Sequence, residues 1–327
     1  MTRYHSIEQE SKESEKKITS ELPPSQWLQF RESRLEQERR LNRQLKAMDH
    51  QPLPVFTDIS TAAGAEKLAE ALSKGSTVVA SFPGTSGTWF AATPEMRVEV
   101  GKARLEDQNH LAVVSLVSTS PEQTMRLIDL DAVHPGLKGK AGELIDATLD
   151  ICFLRWPPSQ EAKQKYQPYF ASDNGIQLWT MGPSPLTKAL AKHKLAITAV
   201  RSGNVTGFPE ATTQEAAANY ASQIHADVVA YNSQIDEQNR QRIGSQPIAE
   251  IPEYKRGDNA AIFIRRPGNT DPRTLIKLFK LVVPDLKVAV LEEKAAPFRR
   301  QYTAPATLDT IKGIRRDLLR ASGLENV

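Results

Sequence analysis

Read for its apolar and polar positions, the chain is a long run of helix-type and strand-type patterns between two polar, charge-rich ends. In the middle stretch, residues 62–74 place Ala and Leu at helical spacing and meet Gly75, the residue type favoured just past a helix C-terminus. Residues 76–82 are β-branched and predict a strand, which empties into the small residues 83–88, read as a loop. The apolar run 111–117 predicts a buried strand. Residues 120–148 are helical material broken by His134-Pro135-Gly136. A helix over 185–194 follows, then a second buried strand at 195–200. Thr212 stands three residues before Glu215 in a capping-box arrangement, which predicts a helix over 213–225. Short strands are expected at 228–231 and 288–291, with a polar insertion over 232–257. Helices and strands mixed in this way predict an α/β protein with a single twisted mixed sheet flanked by helices.

The ends read differently. Residues 1–24 are rich in Ser, Glu and Lys, close on Pro23-Pro24, and predict a disordered tail. Residues 25–50 predict a basic N-terminal helix, in which Trp27, Leu28, Phe30, Leu35, Leu41 and Leu45 alternate with Arg31, Arg34, Arg39, Arg40, Arg43 and Lys46. Such a helix fits a solvated amphipathic face; it also fits contact with nucleic-acid phosphate, with Arg39 and Arg43 as candidates. The α/β domain is expected over 55–285, and 286–327 forms a basic C-terminal extension. Its last helical pattern carries Lys312, Arg315, Arg316 and Arg320; Lys312, Arg316 and Arg320 share one face and can track a phosphate backbone.

Composition changes this picture little. The chain has 327 residues, 39% hydrophobic and 25% charged, as expected of a soluble protein, with a net charge of +3. No apolar run approaches the roughly 20 residues of a membrane-spanning helix, so no membrane partner is expected. The single cysteine, Cys152, lies in an apolar run, and the expectation is a buried thiol in a reducing, cytoplasmic setting. The six histidines lack metal-ligand spacing, so no protein-bound metal is expected.

Candidate chemistry gathers where the strand at 195–200 runs into Arg201-Ser202-Gly203-Asn204-Val205-Thr206-Gly207-Phe208-Pro209 and then a helix. A strand, a polar turn and a helix N-terminus together suit an anion, because free backbone N–H groups and the helix dipole converge there. Ser202, Asn204 and Thr206 add polar side chains, while Gly203 and Gly207 permit close approach of the backbone. Upstream, Lys102 and Arg104 are two residues apart before a strand. If extended they project the same way, as a cationic clamp for phosphate or bicarbonate oxygens. Thr85, Ser86 and Thr88 are candidates to line a substrate loop.

The string Ser202-x-Asn204-x-Thr206-Gly207-x-Pro209, followed by Thr212, Thr213 and Glu215, resembles the signature of the YrdC-like threonylcarbamoyl-AMP synthase family. Lys102-x-Arg104 is similar to that family's Lys-x-Arg, Phe82-Pro83 and Ser86 to its substrate loop, Trp156-Pro157 to its Trp-Pro, and Arg266-Pro267-Gly268 to its last strand. Thr88 and Trp89 stand where the family has tyrosine and glycine, and the strand at 175–181 lacks the family's phosphate-holding arginine. The resemblance covers about residues 55–285. It implies ATP-dependent formation of an N-carbamoyl-aminoacyl adenylate in tRNA modification, from ATP with Mg²⁺, an amino acid and bicarbonate. Lys102, Arg104, Ser202 and Asn204 would be catalytic, and Ser86, Thr85, Thr88 and Thr206 would bind substrate. Two alternatives stay open. One is a repurposed fold that binds tRNA or uses aminoacyl-tRNA in acyl transfer; the other is a carbamoyl or adenylyl transferase of specialised metabolism.

Overall fold

The computed structural model describes residues 54–82, 85–109, 111–172, 175–204, 211, 214–233, 245–266 and 268–291. The expected tail at 1–24, the basic helix at 25–50 with Arg39 and Arg43, and Lys312, Arg315, Arg316 and Arg320 lie outside the described residues, as do Thr206 and Thr212.

In chain order the elements are β1 (Val55–Asp58), α1 (Ala62–Ser73), β2 (Val78–Phe82), β3 (Thr85–Ala91), α2 (Pro94–Ala103), β4 (Ser115–Ser118) and α3 (Pro121–Leu127). A 3₁₀ turn (Leu130–Ala132) precedes α4 (Pro135–Lys138), α5 (Ala141–Ala147), β5 (Phe153–Trp156), α6 (Gln160–Tyr166), β6 (Ala171–Ser172) and β7 (Gly175–Thr180). Then come α7 (Pro185–Lys192), β8 (Ile197–Ser202), α8 (Gln214–Gln223), β9 (Val228–Tyr231), β10 (Ile248–Glu250), β11 (Ala261–Arg266), α9 (Pro272–Val282) and β12 (Lys287–Val290).

The strands form one mixed sheet in the order β1-β9-β2-β3-β8-β4-β7-β5-β10-β11-β12, with β6 paired to β7. β8 is central and antiparallel to both neighbours, β3 and β4. Side chains alternate across the sheet, so Val200 and Trp89 face one way and Ala199 and Phe90 the other. The Val200 face is covered by α1 and α7 through Leu68, Leu72, Leu186 and Leu190. The Ala199 face is covered by α2, α3, α5, α6 and α9, and by α8 over Val79 and Val229.

Local signals set most helix starts. Thr61, Thr93, Ser120, Ser159 and Ser184 each accept a bond from a backbone N–H of the first turn. A cap of this kind contributes about 1 kcal/mol. Gly75, at φ 82°, follows α1 as expected.

The structure departs from the sequence reading in four places. The small-residue stretch 85–88 is part of β3, because Ser86 and Thr88 pair with β2 and Thr88 also lies opposite Arg201 of β8. The strand expected over 111–117 begins only at Ser115, since the Ala112 carbonyl is bound by a side chain, Arg97, rather than by a neighbouring strand. Lys102 and Arg104 are not extended; they end the capped helix α2. The insertion 232–257 contains β10, whose Ala249 is fully buried between β5 and β11. The strand expected at 288–291 is present as β12, which runs parallel to β11.

Candidate functional site

The site is built where α2 ends beneath the end of β8. Helix α2 begins at Thr93 and Pro94 and stops at Arg104. Leu105 takes φ 59°, the Leu105 N–H bonds the Lys102 carbonyl, and the Glu106 N–H bonds the Gly101 carbonyl. This is a Schellman turn with leucine where glycine is usual. A left-handed leucine costs about 1 kcal/mol or more, and the turn folds Glu106 back over the helix it ends.

Three guanidinium groups meet that one carboxylate. Arg97 Nη2 lies 2.5 Å from Glu106 Oε2, Arg104 Nε 3.0 Å from Oε1, and Arg201 Nε 3.3 Å from Oε1. The side chains of Arg97, Arg104 and Glu106 are 0%, 2% and 5% exposed, and that of Arg201 is 29% exposed. Burial alone would raise the Glu106 pKa, but the charges of Arg201, Arg97 and Arg104 outweigh it and hold the carboxyl below its ordinary value. Arg97 Nη2 also donates to the Ala112 carbonyl at 2.9 Å, while its Nε and Nη1 are buried without a partner among the described residues.

Arg104 is the hub. Its Nη1 donates to the Ser202 carbonyl and, at 2.7 Å, to Tyr220 Oη on α8. Tyr220 Oη in turn shares a proton with Thr88 Oγ1 at 2.5 Å. Burial raises the Tyr220 pKa, so the phenol is the neutral form that can both accept and donate here.

Backbone bonds close the turn after β8. The Gly203 N–H reaches the Ser86 carbonyl at 2.8 Å, the Ser86 N–H reaches the Ala211 carbonyl at 2.9 Å, and the Ala211 N–H reaches the Gly203 carbonyl at 2.7 Å. A Cβ on Gly203 would lie 2.5 Å from the Ser86 carbonyl oxygen, so only glycine permits this approach.

The sequence candidates are therefore only partly brought together. Arg104, Thr88, Ser86, Ser202 and Asn204 surround one strand end. Ser86 acts through its main chain, its residue 3% exposed, and Thr88 is fully buried. Thr85 is half-buried beside them. Lys102 does not join the cluster. Two residues apart on a helix point to different sides, and Lys102 Nζ is exposed and paired with Glu99 at 2.7 Å. Strand alternation also sends the Ser202 side chain to the Val200 face, so Arg104 meets Ser202 through its carbonyl rather than its hydroxyl. The extended Lys-x-Arg clamp is thus corrected: helix α2 separates its two cations.

Sequence reasoning missed Arg97, Glu106, Arg201 and Tyr220. Tyr220 carried a faint signal, lying at helical spacing with the buried Ala217, Ala221 and Ile224.

A second charged group sits further along the sheet. Arg155 on β5 and Arg265 on β11 both address Glu250 on β10, Arg155 at 3.7 Å. Gly175 gives Arg155 room, since a Cβ there would lie 2.4 Å from Arg155 Nε. On β7, Trp179 is 1% exposed and packs on Phe153 with ring centroids 4.9 Å apart. Burial pushes the Cys152 thiol up to about 12. Among the described residues no group of three or more His, Cys, Asp or Glu is arranged to hold a metal ion, and no helix is long and apolar enough to cross a membrane.

A mixed sheet covered by helices on both faces, with a buried cation cluster at one strand end, defines the class as α/β, and the solved structures it resembles make the fold YrdC-like. Among solved structures the chain is similar to P. abyssi Sua5. A doubly alanine-substituted form of that protein matches with a TM-score of 0.52 at 13% identity, over 72% of this chain and 65% of that one. The form complexed with L-threonine matches with a TM-score of 0.51 at 14% identity, over 82% and 75%. E. coli YciO matches less well, with a TM-score of 0.46 at 12% identity, over 67% and 96%. No family model matches the chain, and no curated protein matches it in sequence. At these identities the likeness establishes the fold, and this chain spans just under two thirds of the first Sua5 structure.

Proposed function

We propose that the protein forms an N-carbamoyl-aminoacyl adenylate from ATP, bicarbonate and an amino acid. One observation carries the reading: Arg104, from one family-like motif, donates to the carbonyl of Ser202, from the other, 98 residues away. Two stretches that resemble one family at separate points in the chain thus build one strand end, and that end is cationic. The Sua5 form with L-threonine makes threonine the first amino acid to try.

In this reading the amino acid's amine adds to bicarbonate with loss of water to give a carbamate. A carbamate oxygen then attacks the α-phosphorus of ATP and pyrophosphate leaves. No covalent enzyme intermediate is needed, so the protein's part is positioning and charge stabilisation. The cation cluster lowers the energy of phosphoryl charge at the end of β8. Ser202 and Asn204 supply hydrogen-bonding groups on the turn, and Gly203 keeps that turn against β3. Lys102, exposed at the end of α2, would act only if its pairing with Glu99 is given up on binding. Mg²⁺ enters as part of the nucleotide substrate, on its phosphate oxygens.

The test is incubation of the purified protein with MgATP, bicarbonate and each amino acid in turn, reading pyrophosphate. Release that requires both bicarbonate and one amino acid supports the reading; release with none of them refutes it.

β7 lacks the arginine that holds phosphate in the family resembled, which favours a second reading in which the fold handles aminoacyl-tRNA or binds tRNA. Binding of tRNA that weakens with salt, and is lost on deletion of residues 307–327, would favour it. Equal binding by both forms would assign no role to the Lys312, Arg315, Arg316 and Arg320 stripe.

A further inference from the structure

We infer that Arg201, the residue just before Ser202, is the side chain that meets a polyphosphate oxyanion at this site, and that Arg104 is not. The inference rests on the adenylate-forming reading for the identity of the substrate, but its geometry stands apart from it.

Three arginines share one carboxylate, so the cluster holds two positive charges in excess. Guanidinium groups do not lose their protons in proteins. A nearly sealed site with uncompensated cations is costly unless an anion joins it. The question is which cation an anion can reach. Arg97 is fully buried on the inner side of α2. Arg104 is 2% exposed, and its bonds to Glu106, the Ser202 carbonyl and Tyr220 tie α2, β8 and α8 together. Arg201 differs on both counts. It is 29% exposed, and among the described residues its single hydrogen bond runs from Nε to Glu106, leaving both terminal nitrogens to be used. Burial, and repulsion from Arg104 and Arg97, weaken its hold on charge, while Glu106 opposes them. An arriving oxyanion relieves that repulsion, and the planar fork of a guanidinium suits two phosphate oxygens at once.

The same charge count separates a ligand role from a structural one. If Arg201 chiefly braces Glu106, removing it should destabilise the fold. If it awaits an anion, removing it takes away repulsion and leaves Glu106 still paired with Arg97 and Arg104. The experiment measures thermal unfolding and calorimetric binding of inorganic pyrophosphate, with inorganic phosphate in parallel, for the wild type, R201A, R201Q, R201K and R265A. The expected result is pyrophosphate binding by the wild type that stabilises it and weakens with salt. R201A and R201Q should bind about tenfold or more weaker, the usual effect of losing a charge-assisted bond. Both should melt no lower than the wild type without ligand. R201K should fall between, and R265A should match the wild type. No pyrophosphate binding by the wild type, or equal binding by R201Q, overturns the inference, as does a lower melting temperature for both R201A and R201Q without ligand. Binding that depends on Arg201 in a protein that never releases pyrophosphate from ATP would sustain this inference and defeat the proposed reaction.

Discussion

The sheet carries two clusters in which several arginines address one glutamate, and they are not equivalent. Glu106 with Arg97 and Arg104 is buried under α2 and α8, and only Arg201 reaches solvent. Glu250 with Arg155 and Arg265 lies more open, the two arginines 27% and 36% exposed. The first joins a helix, a strand and a second helix and leaves two charges over. The second joins adjacent strands β5, β10 and β11 and leaves one. Solvent reaches both arginines of the second, so its ion pairs add little beyond bracing β5, β10 and β11 together. Water reaches Arg201 in the first but scarcely touches Glu106, Arg97 and Arg104, so those buried charges have consequences for folding and Arg201 has them for any anion that approaches. Similar residue types in similar number thus give a brace in one place and a candidate site in the other, and burial makes the difference.

The largest expected effect that tests this contrast is Glu106→Gln. It leaves two buried arginines, and the partly exposed Arg201, without their carboxylate, and should lower stability by about 3–5 kcal/mol in chemical denaturation. A loss as small as that of an exposed pair would erase the distinction between the clusters.

Acid titration reaches the same group without mutation. The folded-state pKa of Glu106 is depressed. Its contribution is therefore fully present above the unfolded glutamate value of about 4.3 and is lost as pH falls through the lower folded value. Stability of the wild type should drop in that acid window, and Glu106→Gln should flatten this part of the profile. An unchanged slope would mean that other carboxylates govern acid unfolding.

Tyr220→Phe is next in size. It removes the hydroxyl shared by Arg104 and Thr88 and should cost about 1–3 kcal/mol, read from the same denaturation curves. Glu250→Gln, in the screened cluster, should cost no more than about 1 kcal/mol. Smallest is Lys102→Ala, at an exposed pair, which should shift stability by less than about 0.5 kcal/mol. Because that variant stays folded, any loss of pyrophosphate release in it would report on chemistry and bring Lys102 into the site.

Arg104 shows how far sequence pattern reaches. Its place beside the Ser202 turn was legible, because two stretches resemble one family. Its burial was not. Read as a surface arginine, Arg104 could be replaced by alanine with the fold intact; at 2% exposure, with three kinds of partner, it belongs to the core. The residues 85–88 were similarly opaque, since Thr85, Ser86, Gly87 and Thr88 suit a loop as well as a strand. Only partners on both sides made them part of β3.

Local chemistry written in the sequence determined the helix starts at Thr61 and Ser184, the stop at Gly75, and the apolar run that became β8. It also marked the Ser202-Gly203-Asn204 turn, since caps, turns and periodicity act between residues a few positions apart. Tertiary structure alone decided that Glu106 faces three arginines, that Tyr220 links Arg104 to Thr88, and that α2 parts Lys102 from Arg104. Those outcomes depend on groups far apart in the chain that meet only when helices pack on the sheet. The strength of their charges then depends on how much water the packing excludes, which no local pattern of residues records.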